Sequence, residues 1–215
     1  MDRNRLASPL HQHSPHTREH LADNLHGFDA RGQNSPELKH AAVALTVVQE
    51  EDHAAIILTR RVSSLRAHGG QWALPGGRID SGETPEQAAL RELHEEINLV
   101  LDESQILGRL DDFITRSGYV ITPIVVWTDN NCADLHPNPD EVAWIESFTF
   151  TELSRSDSPI LQSIPESEQP VLSMHFKDDV VFAPTGALLY QFLEVALKGR
   201  DTRVLHYEQP LFAWR

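Results

Sequence analysis

The apolar residues of this chain recur at two different spacings, one typical of β-strands and the other typical of α-helices. Two β-branched runs, residues 41–49 and 53–61, flank an acidic turn and predict a β-hairpin. Residues 156–170 are rich in Ser, Pro and Glu and show no periodicity, so they predict a loop. Further strands are predicted over residues 71–74, 106–115, 119–128, 141–150, 171–176 and 180–183.

Helical spacing appears near both ends of the chain and in its middle. Leu21, Leu25 and Phe28 stand at i, i+4 and i+7 and predict a short amphipathic helix. Residues 185–197 have the spacing of a longer closing helix, and residues 151–155 have room for one helical turn. Strands around a central helix, with a second long helix at the end, predict an α/β protein built as an α/β/α sandwich on a mixed β-sheet.

Composition divides the chain into four parts. Residues 1–15 are polar and Pro-containing, which predicts a tail without fixed structure, and residues 16–37 form a helix and linker. Residues 38–200 form the main domain. Residues 201–215 are too apolar for a free tail, and they pack either on the core or on a second copy of the chain in a homodimer.

The central helix has well-marked signals at its start. Thr84 and Gln87 have the spacing of a capping box, and Pro85 occupies the first helical position, where its missing N–H has no consequence. A helix beginning here and running to about residue 97 carries Ala89 and Leu93 on an apolar stripe.

This helix also concentrates negative charge. Glu92, Glu95 and Glu96 stand at i, i+3 and i+4 and share one face. Carboxylates this close repel one another unless a cation lies between them, and oxygen ligands suit Mg²⁺ or Mn²⁺. An ordinary solvated acidic face is the alternative, but it leaves the Gly76-Gly77 turn before the helix unexplained.

The spacing of these residues resembles the Nudix box, which combines glycine, an Arg-Glu pair and a Glu-Glu pair at fixed intervals. Asn98 stands where the family has glycine, and asparagine is the next residue able to adopt the left-handed conformation. The matching positions are Gly77, Glu83, Arg91, Glu92, Leu93, Glu95, Glu96 and Leu99.

The resemblance implies the Nudix fold and hydrolysis of a nucleoside diphosphate linked to another group. Glu92 and Glu96 are then the principal metal ligands. Glu95 acts either as a ligand or as the base, and the Gly77 carbonyl is a further candidate ligand. Among the catalytic candidates Glu95, Glu96 and Glu141, the last is the downstream candidate for the general base, with a solvated strand end as the equal alternative. Glu83 and Arg91 form a fork that orients the ligands, or else an ordinary helix salt bridge.

Net charge and cysteine content restrict the partners. A formal charge of −14 argues against a nucleic-acid partner. The single cysteine, Cys132, excludes an internal disulfide. Because no apolar run reaches membrane-spanning length and no leader is evident, a cytoplasmic protein without membrane attachment is expected. Against the acidic background, residues 54–79 contain four arginines and no Asp or Glu, which favours an anionic substrate.

A second motif precedes the box and resembles that of the coenzyme A pyrophosphatase branch. Its matching positions are Leu58, Thr59, Arg61, Leu65, Arg66, His68, Gly70 and Gln71, whereas Val62, Trp72 and Leu74 depart from it. The resemblance implies that coenzyme A or a derivative is cleaved to 3',5'-ADP and 4'-phosphopantetheine. The substrate-binding candidates are Arg60, Arg61, Arg66, His68 and Gln71. The alternative is that these side chains are only solvent-exposed residues of a strand edge and a loop.

Two other functions stay open at this point. One keeps the hydrolysis and changes the substrate to ADP-ribose, NADH or a modified nucleoside triphosphate. The other is a Nudix-fold sensor that binds a nucleotide without turnover, which the intact set of glutamates disfavours.

Overall fold

A mixed β-sheet lies at the centre of the computed structural model, which describes residues 8–62 and 70–214. Strand β1 (Lys39–Glu50) pairs in antiparallel fashion with β2 (His53–Arg61), which confirms the predicted hairpin. The other strands of this sheet are β3 (Trp72–Ala73), β4 (Gly76–Arg78), β5 (Ile106–Arg109), β6 (Phe113–Ile114), β7 (Tyr119–Asn131) and β8 (Val142–Thr149). Because β1 and β7 are parallel and the other pairs are antiparallel, the sheet is mixed, as predicted.

The helices and a second, smaller sheet surround this centre. The smaller sheet contains β9 (Ile160–Ile164), β10 (Ser167–Phe176) and β11 (Asp179–Phe182). The helices are α1 (Pro15–His26), α2 (Pro85–Ile97), α3 (Phe150–Leu153) and α4 (Thr185–Phe192), the last continuing as a π-helical turn over Leu193–Leu197. No helix in the two described ranges is long and apolar enough to cross a membrane.

The main sheet is buried on both faces. Helix α2 packs on one face, where Ala55 and Ile57 of β2 contact its apolar stripe. Helices α1 and α4 cover the other face, where Ile56 and Leu58 of β2 belong to the larger core cluster. Successive strand residues point to opposite faces, so each face takes alternate residues of β2. The predicted sandwich is confirmed.

The loop predicted over residues 156–170 is wrong. Strand β9 and the start of β10 occupy much of it. Strand β9 is the outer strand of the small sheet, and its central residues are exposed, so pairing with β10 holds it rather than burial. A strand of this kind leaves no apolar alternation in the sequence.

The strand predicted over residues 106–115 is interrupted between β5 and β6. Asp111 and Asp112 are buried there and accept hydrogen bonds from the backbone N–H groups of Arg31 (2.8 Å) and Gln33 (2.7 Å). The interruption therefore ties the linker after α1 to the sheet.

The chain segments before α1 and after α4 contact the core. Residues 8–14 differ from the predicted unstructured tail, because they contain a 3₁₀ turn over Pro9–His11. His13 also stacks on Trp127 with ring centroids 4.2 Å apart. At the other end, Glu208 pairs with Arg116, and the Trp214 indole N–H donates to the Gln209 carbonyl at 2.8 Å. The C-terminal extension thus packs on its own chain, and a homodimer stays a prediction.

Candidate active site

Local signals set both ends of helix α2. The Thr84 hydroxyl accepts the Gln87 backbone N–H at 3.2 Å, and the Gln87 side chain accepts the Thr84 N–H at 3.1 Å, which confirms the capping box. Asn98 ends the helix in the left-handed conformation (φ 56°), as predicted. Its backbone N–H donates to the His94 carbonyl at 3.0 Å. The glutamates of α2 are thereby carried on a helix with fixed limits.

The glycine turn before α2 approaches two different parts of the site. A Cβ on Gly76 would lie 2.3 Å from the backbone carbonyl oxygen of Ala42 in β1. A Cβ on Gly77 would lie 2.1 Å from Oε1 of Glu92. Gly76 therefore lets strand β4 pair with β1, whereas Gly77 leaves room for a carboxylate against the backbone.

Arg91 forms ion pairs with three carboxylates. Its Nε and Nη2 donate to the two oxygens of Glu83 at 2.9 and 3.1 Å, so the predicted fork is present. Its Nη1 lies 2.8 Å from Glu92 and 3.0 Å from Glu95. Nη2 also donates to the Arg78 carbonyl at 2.9 Å, which fastens the start of the box to the helix.

The three box glutamates differ in depth, although they share a helix face. Glu96 is 3% exposed and Glu92 is largely buried, but Glu95 is exposed over 51% of its side chain. The helix therefore presents two carboxylates toward the site, and Glu95 lies at its rim beside Arg91.

Burial makes Glu96 hard to ionise in the absence of a cation. Loss of solvent raises the pKa of Glu96 to about 8, and the charges of Glu92 and Glu141 add to the rise. Arg61, whose Nη1 is 3.5 Å from Oε1 of Glu96, and the Gly76 backbone N–H oppose it. Oε2 of Glu96 is buried without a hydrogen-bond partner in the described part of the chain.

Burial also disfavours the ionised form of Glu92, although less strongly than that of Glu96. Burial is the main cause that raises its pKa, the Arg91 contact opposes the rise, and the charges of Glu95 and Glu141 add to it. The charge of Glu92 also raises the pKa of Glu96, and a cation bound between the two carboxylates would relieve this repulsion.

Glu141 reaches this pair from another part of the chain. The loop between β7 and β8 is fastened to the end of α2, because the His136 and Asn138 N–H groups donate to the carbonyls of Ile97 (3.2 Å) and Glu96 (2.8 Å). These bonds satisfy carbonyls that a helix end leaves unpaired. The Glu141 carbonyl accepts the Val62 N–H at 3.1 Å, next to Arg61. The predicted downstream glutamate thus lies beside Glu92 and Glu96.

The donor set fits a hard divalent cation. A buried carboxylate oxygen without a partner, a second carboxylate and the close backbone of Gly77 supply oxygen ligands of the type that Mg²⁺ and Mn²⁺ take. In residues 8–62 and 70–214, no group of three or more His, Cys, Asp or Glu side chains is arranged so that it could hold a metal ion on its own.

The arginines before the box separate onto two faces of the sheet. Arg61 lies on the α2 face, beside Glu96. Arg60 lies on the opposite face, where its Nε donates to the Gly70 carbonyl at 2.9 Å and its guanidinium lies 5.4 Å from the Trp72 ring centroid. The structure does not bring Arg60 to the carboxylates.

The other substrate candidates lie in the next segment. The Gln71 backbone carbonyl accepts the Arg61 N–H at 3.4 Å, and the Gly70 N–H donates to the Arg61 carbonyl at 3.1 Å. Gln71 is therefore near Arg61. Arg66 and His68 lie outside the described residues.

Sequence reasoning missed two contributors to the site. The Gly76 backbone N–H acts on Glu96, and Asn138 connects α2 to Glu141. The only sequence signal for Asn138 was the turn chemistry of Asn138-Pro139-Asp140.

A mixed sheet between helices, with the buried carboxylates of one helix beside a Gly-Gly turn, defines a Nudix hydrolase domain. The model of the family described as NUDIX domain matches residues 38–166, which are more than half of the chain. The chain belongs to the Nudix family.

Two curated relatives agree with this family, and one solved structure also aligns with the chain. The chain is 33% identical over 159 residues to "Uncharacterized Nudix hydrolase NudL" of Photorhabdus laumondii subsp. laumondii, covering 73% of this chain and 84% of that protein. It is 35% identical over 115 residues to Nudix hydrolase 3 of Caenorhabditis elegans, covering 52% of this chain and 48% of that protein. A MutT/nudix family protein from Enterococcus faecalis aligns with a TM-score of 0.47 and 18% identity, over 70% of this chain and 54% of that one.

Proposed function

We propose that this protein is a Mg²⁺- or Mn²⁺-dependent pyrophosphohydrolase that cleaves the diphosphate of coenzyme A or its derivatives to 3',5'-ADP and 4'-phosphopantetheine. The observation that carries the proposal is the pair Glu96 and Arg61. A buried carboxylate with an unpartnered oxygen lies 3.5 Å from a guanidinium in an acidic protein. Such a pair offers one group to a cation and one to an anion.

In this proposal Glu92 and Glu96 hold the metal, and the Gly77 carbonyl is a further oxygen ligand. When bound, Mg²⁺ or Mn²⁺ lowers the pKa of a coordinated water and neutralises phosphate oxygens. Arg91 keeps the Glu92 carboxylate in place through its 2.8 Å contact, and Glu83 holds Arg91 in turn. The desolvation that raises the pKa of Glu96 also strengthens every charge interaction within the site.

Two residues divide the remaining work on the substrate. Arg61 binds a phosphate oxygen of the diphosphate, since its guanidinium is on the α2 face beside the ligands. Glu141 accepts the proton of the attacking water, because it is close enough to affect the pKa of both Glu92 and Glu96. Glu95 remains a candidate ligand or base, although its exposure and its contact with Arg91 make Glu141 the stronger choice.

Support for coenzyme A as the substrate comes from the residues before the box. Arg66 and His68 are proposed to bind the 3'-phosphate, which distinguishes coenzyme A from most other nucleoside diphosphate derivatives. The backbone bonds of Gly70 and Gln71 to Arg61 keep both ends of residues 62–70 next to the residue proposed to bind the diphosphate. The acidic surface fits a small nucleotide rather than a nucleic acid, and the proposed location is the cytoplasm.

A panel of substrates tests the proposal. Purified protein with Mg²⁺ or Mn²⁺ is incubated with coenzyme A, 3'-dephospho-coenzyme A, ADP-ribose and NADH, and the products are identified by mass. We expect coenzyme A to give 3',5'-ADP with the highest kcat/KM. If coenzyme A stays intact while ADP-ribose or NADH is cleaved, the substrate assignment is wrong and the hydrolase assignment stands. If no substrate is cleaved but nucleotides still bind, the hydrolase assignment is wrong and the nucleotide-sensor alternative replaces it.

A further inference from the structure

Asn138 is bonded to both segments that carry the site's carboxylates. Its N–H donates to the Glu96 carbonyl at 2.8 Å, and its own carbonyl accepts the N–H groups of Glu141 (3.1 Å) and Val142 (2.8 Å). Its side-chain Oδ1 accepts the Asp140 N–H at 3.2 Å. One residue therefore links the end of helix α2 to the start of strand β8.

The side-chain bond fixes the part of the loop that the backbone leaves free. Pro139 restricts its own φ and has no N–H, so it donates no backbone hydrogen bond that would hold the loop. Asp140 is exposed, and the Asn138 side chain closes a turn around its peptide group. Glu141 follows immediately, so the direction in which its side chain leaves the backbone depends on this turn.

We infer that Asn138 is a positioning residue that holds Glu141 against Glu92 and Glu96 through its amide oxygen. This inference rests on the proposed role of Glu141. It assigns no contact with the substrate to Asn138, which acts through Glu141 alone.

The variant Asn138→Ala removes the acceptor of the Asp140 N–H and keeps the three backbone bonds. We expect kcat to fall about tenfold with KM nearly unchanged, since a displaced catalytic group lowers the rate without weakening the substrate contacts. Asn138→Ser should recover part of the loss, because a serine hydroxyl can accept the same N–H. The affinity for Mn²⁺, measured by electron paramagnetic resonance, should weaken several-fold in Asn138→Ala as the Glu141 charge moves away.

The chain offers a matched control in the segment before this loop. Asn131 closes the same kind of turn, since its Oδ1 accepts the Ala133 N–H at 3.0 Å, but its strand position pairs with Gln49 of β1 rather than with α2. Asn131→Ala should match Asn138→Ala in its effect on the urea midpoint and leave kcat and Mn²⁺ affinity at their wild-type values. Equal kinetic losses in the two alanine variants would overturn the inference.

A double-mutant cycle with Glu141→Gln separates positioning from a general structural role. If Asn138 acts through Glu141, then Asn138→Ala has no further effect on kcat or Mn²⁺ affinity in the Glu141→Gln background. Additive effects, or a Glu141→Gln variant that behaves like the wild type, would overturn the inference. The cycle uses whichever diphosphate the substrate panel finds to be cleaved fastest, and Mn²⁺ binding needs no turnover, so a wrong substrate assignment does not disturb it.

Discussion

The backbone of Gly77 and the carboxylate of Glu92 are so close that a methyl group at position 77 would lie 2.1 Å from Oε1. Arg91 Nη1 donates a hydrogen bond to the same Oε1 at 2.8 Å. The carboxylate is therefore confined between the glycine turn and a guanidinium.

The first prediction concerns the two neighbouring glycines. Gly77→Ala should displace the Glu92 carboxylate, lower Mn²⁺ affinity and kcat about tenfold or more, and change the free energy of unfolding by less than about 1 kcal/mol, because the clash is with a side-chain end. Gly76→Ala should instead destabilise the fold by about 3 kcal/mol or more, since its Cβ would meet the Ala42 backbone at 2.3 Å. Urea unfolding and Mn²⁺ titration distinguish the two.

Gly32→Ala serves as the control for both glycine variants. A Cβ there would meet its nearest atoms at the ordinary contact distance of 3.7 Å. If Gly77→Ala binds Mn²⁺ as tightly as Gly32→Ala does, the close approach to Glu92 has no bearing on the metal site.

The second prediction is a pH dependence of stability in the metal-free protein. The pKa of Glu96 rises from 4.5 to about 8 on folding, so between these values the folded state binds the proton and the unfolded state does not. The contribution of Glu96 to the free energy of unfolding is therefore fully present below pH 4.5, falls as the pH rises toward 8 and levels off above that pH. The loss should be on the order of a few kcal/mol, measured by urea unfolding with a chelator from pH 5 to pH 8.5.

Two variants test whether Glu96 is the source of this slope. Glu96→Gln should flatten most of it and abolish turnover, whereas Glu95→Gln, at a position with 51% side-chain exposure, should leave it in place. A Glu96→Gln protein with the wild-type slope would assign the titration to another group.

The third prediction follows from the opposite faces of Arg60 and Arg61. Arg61→Ala should lower kcat/KM about 10- to 100-fold, because it removes a guanidinium beside Glu96. Arg60→Ala should change kcat/KM less than about twofold, because its side chain lies against Trp72 and Gly70 on the other face. The measurement is kcat/KM from steady-state kinetics of both variants, after urea unfolding has shown that their midpoints are equal. A loss of kcat/KM in Arg60→Ala as large as that in Arg61→Ala would contradict the assignment.

The fourth prediction concerns the residue that replaces the family's glycine. Asn98 has φ 56°, so Asn98→Ala should destabilise the protein by about 1 kcal/mol, whereas Asn98→Gly should leave its stability within about 0.5 kcal/mol of the wild type. Val100→Ala, at a nearby residue that is 72% exposed, is the control and should change little. Equal midpoints for the Ala and Gly variants at position 98 would show that the left-handed cap does not limit stability.

Features with local causes could be predicted from the sequence. The capping box of Thr84 and Gln87 and the left-handed Asn98 depend on residues within one turn of each other, and the structure confirms both. The β1–β2 hairpin and the sandwich follow from periodicity, and they are confirmed as well.

Features with distant causes could not be predicted. A helical wheel places Glu95 beside Glu96 but does not give depth, which depends on what the sheet and the loop of Glu141 cover. Strand alternation predicts that Arg60 and Arg61 point to opposite faces of the sheet, but which face carries the glutamates depends on where helix α2 packs. The bond from Asn138 to Glu96 connects residues 42 positions apart, for which no sequence spacing gives a signal.

The backbone bond between Gly70 and Arg61 has an evolutionary consequence. The chain leaves strand β2 after Arg61 and returns to pair with it from Gly70 onward, while the glutamates are held by a capped helix, a glycine turn and a loop that lie elsewhere in the sequence. Under the proposed function, we therefore expect insertions or exchanges within residues 63–69 to alter substrate preference without displacing the glutamates of α2. On this proposal, selection diversifies substrates through that short interval while the residues proposed for hydrolysis are inherited unchanged.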